Sequence, residues 1–321
     1  MENRHLCELH LHLDGSLRPE SVWEMAQEQG IILPVSSLEE VKLQMKVPED
    51  CQTLEEYLER FELPLMVLQT EEALERVAFE LVEDLAREGL DYAEIRFATQ
   101  LSVVGGLNQN QVTEAAIRGI KRGMEQYPSI QVGLILCCMR GDKNEELNLQ
   151  TIEAAQTYLG DIVCAIDIAG AEGLYPTEWF QRVFDKANEY QLPLTIHAGE
   201  AAGPESMWTA LSYGTKRIGH GVHAIEDPEL IQKLIDENVT LEVCVTSNFH
   251  TKVAASIVEH PIRQLFDAGV HVTVNSDNRT ASNTTLKEEI QILKDQLHFT
   301  DEEIKKMQEY AWEAKFLKER K

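Results

Sequence analysis

The pattern that most constrains the fold of this chain is an alternation. Eight short runs rich in apolar and β-branched residues are separated by stretches that mostly carry helical spacing. The runs are HLCELHLHL (5–13), DYAEIRFA (91–98), IQVGLILCC (130–138), IVCAIDIAG (162–170), PLTIHAG (193–199), KRIGHG (216–221), TLEVCVT (240–246) and HVTVNSD (271–277). The helical stretches include EEALERVAFELVEDLAREG (71–89), QVTEAAIRGIKRGMEQ (111–126), PTEWFQRVFDKANEY (176–190) and DPELIQKLIDEN (227–238). Strands that alternate with helices call for right-handed crossovers and parallel pairing. Eight such units match a closed (β/α)8 barrel, which takes about 250 residues. An open doubly wound sheet would carry G-x-G-x-x-G after an early strand, and the sequence has none. The expected architecture is therefore α/β, a (β/α)8 TIM barrel, with residues 1–321 forming one domain.

The interval from Ser16 to Gly89 is too long for one crossover helix. It carries SLEEVKLQM (37–45) and TLEEYLERFELPLMVLQ (53–69). An insertion after the first strand of a barrel lies over the C-terminal mouth, where active sites are built, so these helices either act as a lid or merely cap the barrel. After the eighth strand come TLKEEIQILKDQL (285–297) and TDEEIKKMQEYAWEAKFLKERK (300–321), and Thr300 with Glu303 forms a capping-box pattern.

Chemistry in such a barrel collects at the C-terminal strand ends. Those ends supply His10, His12 and Asp14 from strand one, and Asp167 and Gly170 from strand four. Strand five supplies His197 and then Glu200, strand six His220, strand seven Thr246 and Ser247, and strand eight Asp277. Burying four histidines with carboxylates and no metal would cost several kcal/mol in desolvation, by order of magnitude. Side chains two apart on a strand project to the same side, so His10 and His12 can reach one ion. His197 supplies a third nitrogen and Asp277 an oxygen. Three imidazoles and a carboxylate suit one Zn2+, although imidazole also accepts iron, cobalt or nickel. An ion there acidifies a bound water toward a pKa of about 7. Glu200, three residues past His197, is placed to act as a general acid. His220 is placed to orient the attacking hydroxide or to stabilise developing charge.

Composition narrows the partners. The formal charge of -26 and the lack of a basic stripe argue against nucleic acid. Lys315, Lys318, Arg320 and Lys321 are expected to form a solvated tail. The six cysteines contain no C-x-x-C pair and are expected to be buried, reduced thiols. No signal peptide and no membrane-spanning run is evident, so a cytoplasmic protein is expected. The sequence does not reach oligomeric state.

HLHLDGS, RFELPLMVLQT, EIRFA, IDIAG, HAGE, RIGHG, EVCVTSN and NSDN occur in this order. In this combination the chain resembles the adenosine deaminase family, bacterial type, of the amidohydrolase superfamily, over nearly its whole length. The resemblance implies a barrel with one catalytic zinc. It also implies hydrolytic deamination of adenosine, with 2'-deoxyadenosine as a second substrate, to inosine and ammonia in purine salvage. It assigns His10, His12, His197 and Asp277 to the metal and Glu200 to protonation of purine N1. His220 and Asp277 would position the hydroxide. The Gly170 N–H would meet N3 of the base, Asp14 a ribose hydroxyl and Asn278 the N7 atom, with His12 also beside the substrate. The chain departs from the usual family pattern at Thr99 and Gln100, where a proline-containing turn is common, at Val245, and at Asn278, where many relatives carry Asp. Thr99, Gln100 and Val245 are expected to touch the pocket rim rather than the metal site, and Asn278, common in bacterial members, is expected to donate to N7 and leave activity intact.

Rival readings are also open to test. Two-metal relatives need a lysine at the end of strand four, where this chain has IDIAG. Adenine deaminases resemble the chain but tend to carry Glu in place of Asp14. An AMP-type site would need basic residues, and the strand-one end offers only Arg18. Nucleic-acid deaminases use H-x-E and P-C-x-x-C, which are absent. A non-catalytic nucleoside or metal binder would have no need of Glu200 and His220.

Overall fold

The computed structural model describes residues 6–317. All eight expected strands form: β1 (Cys7–His12), β2 (Tyr92–Phe97), β3 (Gln131–Met139), β4 (Val163–Ala169), β5 (Ile196–Ala198), β6 (Arg217–His220), β7 (Thr240–Val243) and β8 (His271–Val274). β1 to β4 pair in parallel in sequence order, and β5 to β8 do the same. Two seams close the ring. Between β4 and β5, the Ile166 N–H donates to Pro193 O and the Thr195 N–H to Ile166 O, both at 3.0 Å. Between β8 and β1, the His12 N–H donates to Asp277 O at 2.7 Å and the Asp277 N–H to His10 O at 3.0 Å. Every strand is thereby paired on both sides, and the barrel has no open edge.

The crossover helices form where apolar residues recur at helical spacing. In Glu71–Glu88 the buried positions include Leu74, Val77, Ala78, Leu81, Val82 and Leu85, a stripe facing the barrel. Thr70 caps its start by accepting from the Ala73 N–H. The capping box at Thr300 and Glu303 is also formed.

Four features depart from a plain reading of the sequence pattern. First, β1 is irregular: its register against β2 shifts between Glu8 and Leu11. Leu9 therefore packs with Cys7 and Tyr92, while Leu11 belongs to the main core. Second, residues 53–69 form three short pieces, Leu54–Leu58, a 3-10 turn Glu59–Phe61, and Glu62–Val67. Pro64 has no N–H to continue the ladder, and the chain tightens just ahead of it. Third, the last helix is Asp301–Ala314. Beyond it the Phe316 N–H donates to Glu94 Oε1 at 2.6 Å and the Leu317 N–H to Tyr92 Oη at 3.1 Å, which seals the floor of the barrel. Fourth, Lys315 is no part of a solvated tail. It is buried, with its ammonium 3.8 Å from the Trp312 ring centre. Lys318, Arg320 and Lys321 lie outside the described residues, as does His5. All six cysteines are buried and free. Among the described residues no helix is long and apolar enough to cross a membrane.

The insertion after β1 lies over the mouth. It is tied to the chain after β8 by the Val47 N–H donating to Ala281 O at 2.9 Å and by Tyr57 Oη, 2.7 Å from Ser282 Oγ. Leu54, Tyr57, Leu58, Phe61 and Leu65 form an apolar wall of the cavity beneath.

Candidate active site

A cavity of about 190 Å³ opens at the C-terminal ends of the strands. His12, Asp14, Gly170, His197, Glu200, His220, Asp277 and Asn278 line it. His10 lies just below, fully buried. The nine residues given a metal, catalytic or substrate role from the sequence are thus in one place, although they run from His10 to Asn278; of the other strand-end residues Ser247 also lines the cavity, and Asp167 and Thr246 do not.

Ring nitrogens and carboxylate oxygens converge at the base of the cavity. His10 Nε2 is 3.3 Å and His12 Nε2 3.4 Å from Asp277 Oδ1, and His12 Nε2 is 3.3 Å from His197 Nε2. One ligand atom from each of His10, His197, His220 and Asp277 falls within a mutual 4.8 Å. This tightest group contains His220 in place of His12, while His12 touches two of its members. Two observations fit a cation at this point. His10 Nε2 is buried and has no hydrogen-bond partner, while its Nδ1 is held 2.9 Å from Glu242 Oε2. A carboxylate on the far nitrogen is the arrangement that orients a ligating imidazole. Second, the Nε2 atoms of His12 and His197 face each other at a distance that suits two lone pairs on one ion. His197 Nδ1 in turn lies 2.8 Å from Asp167 Oδ2, though without the alignment of a full hydrogen bond.

The electrostatics divide the acids into two kinds. Burial opposes ionisation of Asp277, yet the His10, His220 and His12 imidazoles hold its carboxyl well below the usual range. Glu200 goes the other way. Burial first, then the nearby charges of Asp277 and Glu172, push its carboxyl well above the usual range. Its Oε2 lies 3.6 Å from His220 Nε2. Burial also lifts Asp14 to about 7 and lowers His12 and His220 well below the ordinary imidazole value. Paired acids with pKa values pushed apart, in one cleft, are a signature of acid–base chemistry.

The backbone is bent to make this arrangement. His220 and Asp277 adopt left-handed conformations, φ 62° and 61°. Such strain in side-chain-bearing residues costs about 1–3 kcal/mol each and gathers at functional sites. Gly170 has φ +107°, which only glycine takes readily, and it lines the cavity wall. A Cβ at Gly15 would fall 1.9 Å from Asn278 Oδ1, so the glycine of HLDG makes room for the Asn278 side chain.

Several residues that shape the site were given no role from the sequence, although Arg96 lies within EIRFA. Glu172 is buried, and its two oxygens accept from the backbone N–H groups of Gly199, Glu200, Ala201 and Ala202 at 2.8–3.1 Å and from Ser206 Oγ. Arg96 spans the barrel and donates to Asp167 Oδ2 and Glu242 Oε2, each at 2.7 Å, the two carboxylates behind His197 and His10. Arg140 donates to His197 O at 2.6 Å. In the sequence each was an ordinary charged residue, and only long-range hydrogen bonds reveal them. Thr99 and Gln100, expected at the rim, turn away from the cavity. Thr99 Oγ1 donates to Gln109 Oε1 at 2.6 Å and Gln100 Nε2 to Asn148 Oδ1 at 2.8 Å, in a buried polar cluster behind the wall. Val245 is likewise buried and outside the lining.

The adenosine deaminase family profile matches residues 5–321. An adenosine deaminase of Haemophilus ducreyi is 45% identical over 315 residues, covering 97% of this chain and 92% of that protein. One of Clostridium acetobutylicum is 40% identical over 299 residues, covering 93% and 89%. Among solved structures, an adenine deaminase from Arthrobacter aurescens superposes with a TM-score of 0.89 at 26% identity, covering 99% of this chain and 95% of that one.

Proposed function

Because the chain belongs to the adenosine deaminase family, we propose that it hydrolyses adenosine, and 2'-deoxyadenosine, to the inosine product and ammonia. The reading rests on one juxtaposition. A carboxyl that burial and neighbouring charge push toward its protonated form, Glu200, faces a buried histidine–aspartate cluster inside a cavity of the family's barrel. We read residues 1–321 as a single barrel domain, which the continuous core running from Leu11 to Met307 supports.

The ligand set fits a divalent ion of the zinc type, with His10, His12, His197 and Asp277 to hold it. When bound, such an ion supplies an acidified water, its pKa lowered toward about 7. The chain's own residues do the rest. Gly170 offers its backbone N–H to N3 of the purine, Asn278 faces N7, and Asp14 takes a ribose hydroxyl. Glu200 gives its proton to N1 as water adds at C6, so the ring loses aromaticity only as its charge is neutralised. His220 donates to the new oxygen, and Asp277 accepts the water's proton. The amino nitrogen takes the proton held on Asp277 and leaves as ammonia, and the C6 hydroxyl becomes the carbonyl of inosine as it returns a proton to Glu200. The donors are in place before charge develops, so little reorganisation is needed. The apolar wall of Leu54, Phe61 and Leu65 shields the cavity from bulk water, consistent with a lid.

The likeness to an adenine deaminase structure makes the free base the second reading. Asp14, one methylene shorter than Glu, leaves room for a ribose and favours the nucleoside. Mixing metal-loaded protein with adenosine, deoxyadenosine, adenine and AMP, and following ultraviolet absorbance, separates the two. Turnover of adenine with adenosine inert would overturn the nucleoside reading.

A further inference from the structure

Asn248 sits between two buried imidazoles. Its Nδ2 is 3.1 Å from His220 Nδ1, and its Oδ1 is 3.2 Å from His260 Nε2. All three residues are buried. A third contact determines where every proton lies. The Ile262 N–H, which can only donate, meets His260 Nδ1 at 3.1 Å. His260 Nδ1 is therefore an acceptor, and the ring proton is on Nε2. That proton goes to Asn248 Oδ1, which leaves the amide nitrogen to donate to His220 Nδ1. With Nδ1 accepting, the His220 proton is on Nε2, the nitrogen 3.6 Å from Glu200 Oε2. The opposite assignment fails. Turning the Asn248 amide over would oblige His260 to accept at both nitrogens, which makes it a buried imidazolate.

We propose that Asn248 and His260 are positioning residues that lock His220 as its Nε2–H tautomer. This settles which imidazoles of the cluster can take a cation. His10 Nδ1 is hydrogen-bonded to Glu242 Oε2, which puts its proton there, and the Asp167 carboxylate 2.8 Å from His197 Nδ1 favours the same tautomer, leaving both Nε2 atoms free. His220 is wired the other way, with Nδ1 occupied and Nε2 protonated. It offers no lone pair and stands as a hydrogen-bond donor beside the ion, although its ring is part of the tightest group. His12 is then the third nitrogen. Burial holds His260 neutral, its pKa lowered to about 3, as the relay requires. The catalytic half of the proposal rests on the deaminase reading; the tautomer half does not.

The test is a long-range proton–nitrogen NMR spectrum of zinc-loaded protein labelled with 15N-histidine, with His220 assigned by its loss in His220→Gln. The expected result is the Nε2–H pattern for His220 and for His260. An Nδ1–H pattern at His220, or a metal-shifted Nε2, overturns the proposal. Asn248→Asp presents acceptors on both sides, so His220 should switch to Nδ1–H, with kcat for adenosine falling about 100-fold or more and KM changing little. His260→Gln keeps an N–H for Asn248 and should retain most of kcat, whereas His260→Leu should not. An unswitched tautomer in Asn248→Asp, or equal kcat in the two His260 variants, defeats the proposal. If no purine is turned over, the deaminase reading fails while the wild-type spectrum still decides the tautomer.

Discussion

Glu200 can protonate purine N1 only while it carries a proton, and rising pH removes it. Burial, with the charges of Asp277 and Glu172, pushes its carboxyl well above the usual range. The loss of kcat/KM with rising pH is therefore expected far to the alkaline side of an ordinary glutamate, whose pKa is about 4.3. A pH–rate profile checks this, and a fall centred on the ordinary value would remove Glu200 from its role. Glu200→Gln should keep its metal, measured by elemental analysis, and lose roughly 100- to 10,000-fold in turnover, the usual worth of a general acid. Near wild-type turnover would show that the proton comes from elsewhere. At this scale the sequence was informative where a polar residue ended an apolar run: His10, His12, His197, His220 and Asp277 stood out against their neighbours. Asn248, His260 and Glu172 did not, because a buried hydrogen-bond partner leaves no periodic trace. Strand parity with His10 already pointed to His12 as a ligand, but the tautomer that keeps His220 off the ion is defined only by three-dimensional contacts.

The element that carries Glu200 is a loop, and Glu172 gives it shape. Four consecutive amides and a serine hydroxyl converge on that one carboxylate. In Glu172→Gln the new NH2 would face N–H groups where an oxygen had accepted, so the loop must shift. The expected outcome is at least a 10-fold drop in kcat, since misplacement by about 1 Å can cost 100-fold. The alkaline limb should also move to lower pH, because the charge that helps raise Glu200 is gone. A steady-state profile of the variant reads both, and an unmoved limb would contradict the electrostatic part. The strands themselves were legible in the sequence, since β-branched runs bounded by helical spacing leave few alternatives. The irregularity in β1 and the turn of Thr99 and Gln100 away from the cavity were not, because each is set by pairing with other elements, whereas the break ahead of Pro64 has its mark in the sequence in Pro64 itself.

At the scale of the molecule, the barrel interior is organised by charge. Arg96 and Arg217 share Glu242, Arg217 also reaches Glu94, and Arg96 reaches Asp167. This network links the floor, sealed by Phe316, to the residues behind the metal-binding histidines. Leaving its carboxylates unpaired is costly, so Arg96→Leu should lower unfolding stability by roughly 3–5 kcal/mol, the usual penalty for breaking a buried ion pair. Urea denaturation measures it, and a change below about 1 kcal/mol would show that the network bears little of the fold's stability. The central claim joins fold, cluster and acid into one activity, and one assay addresses it: absorbance of adenosine mixed with zinc-loaded protein, with bound metal and released ammonia measured on the same sample. The expected result is stoichiometric inosine and ammonia from protein holding one ion per chain, abolished by chelation and restored by zinc. Adenosine left unchanged by fully loaded protein would contradict it.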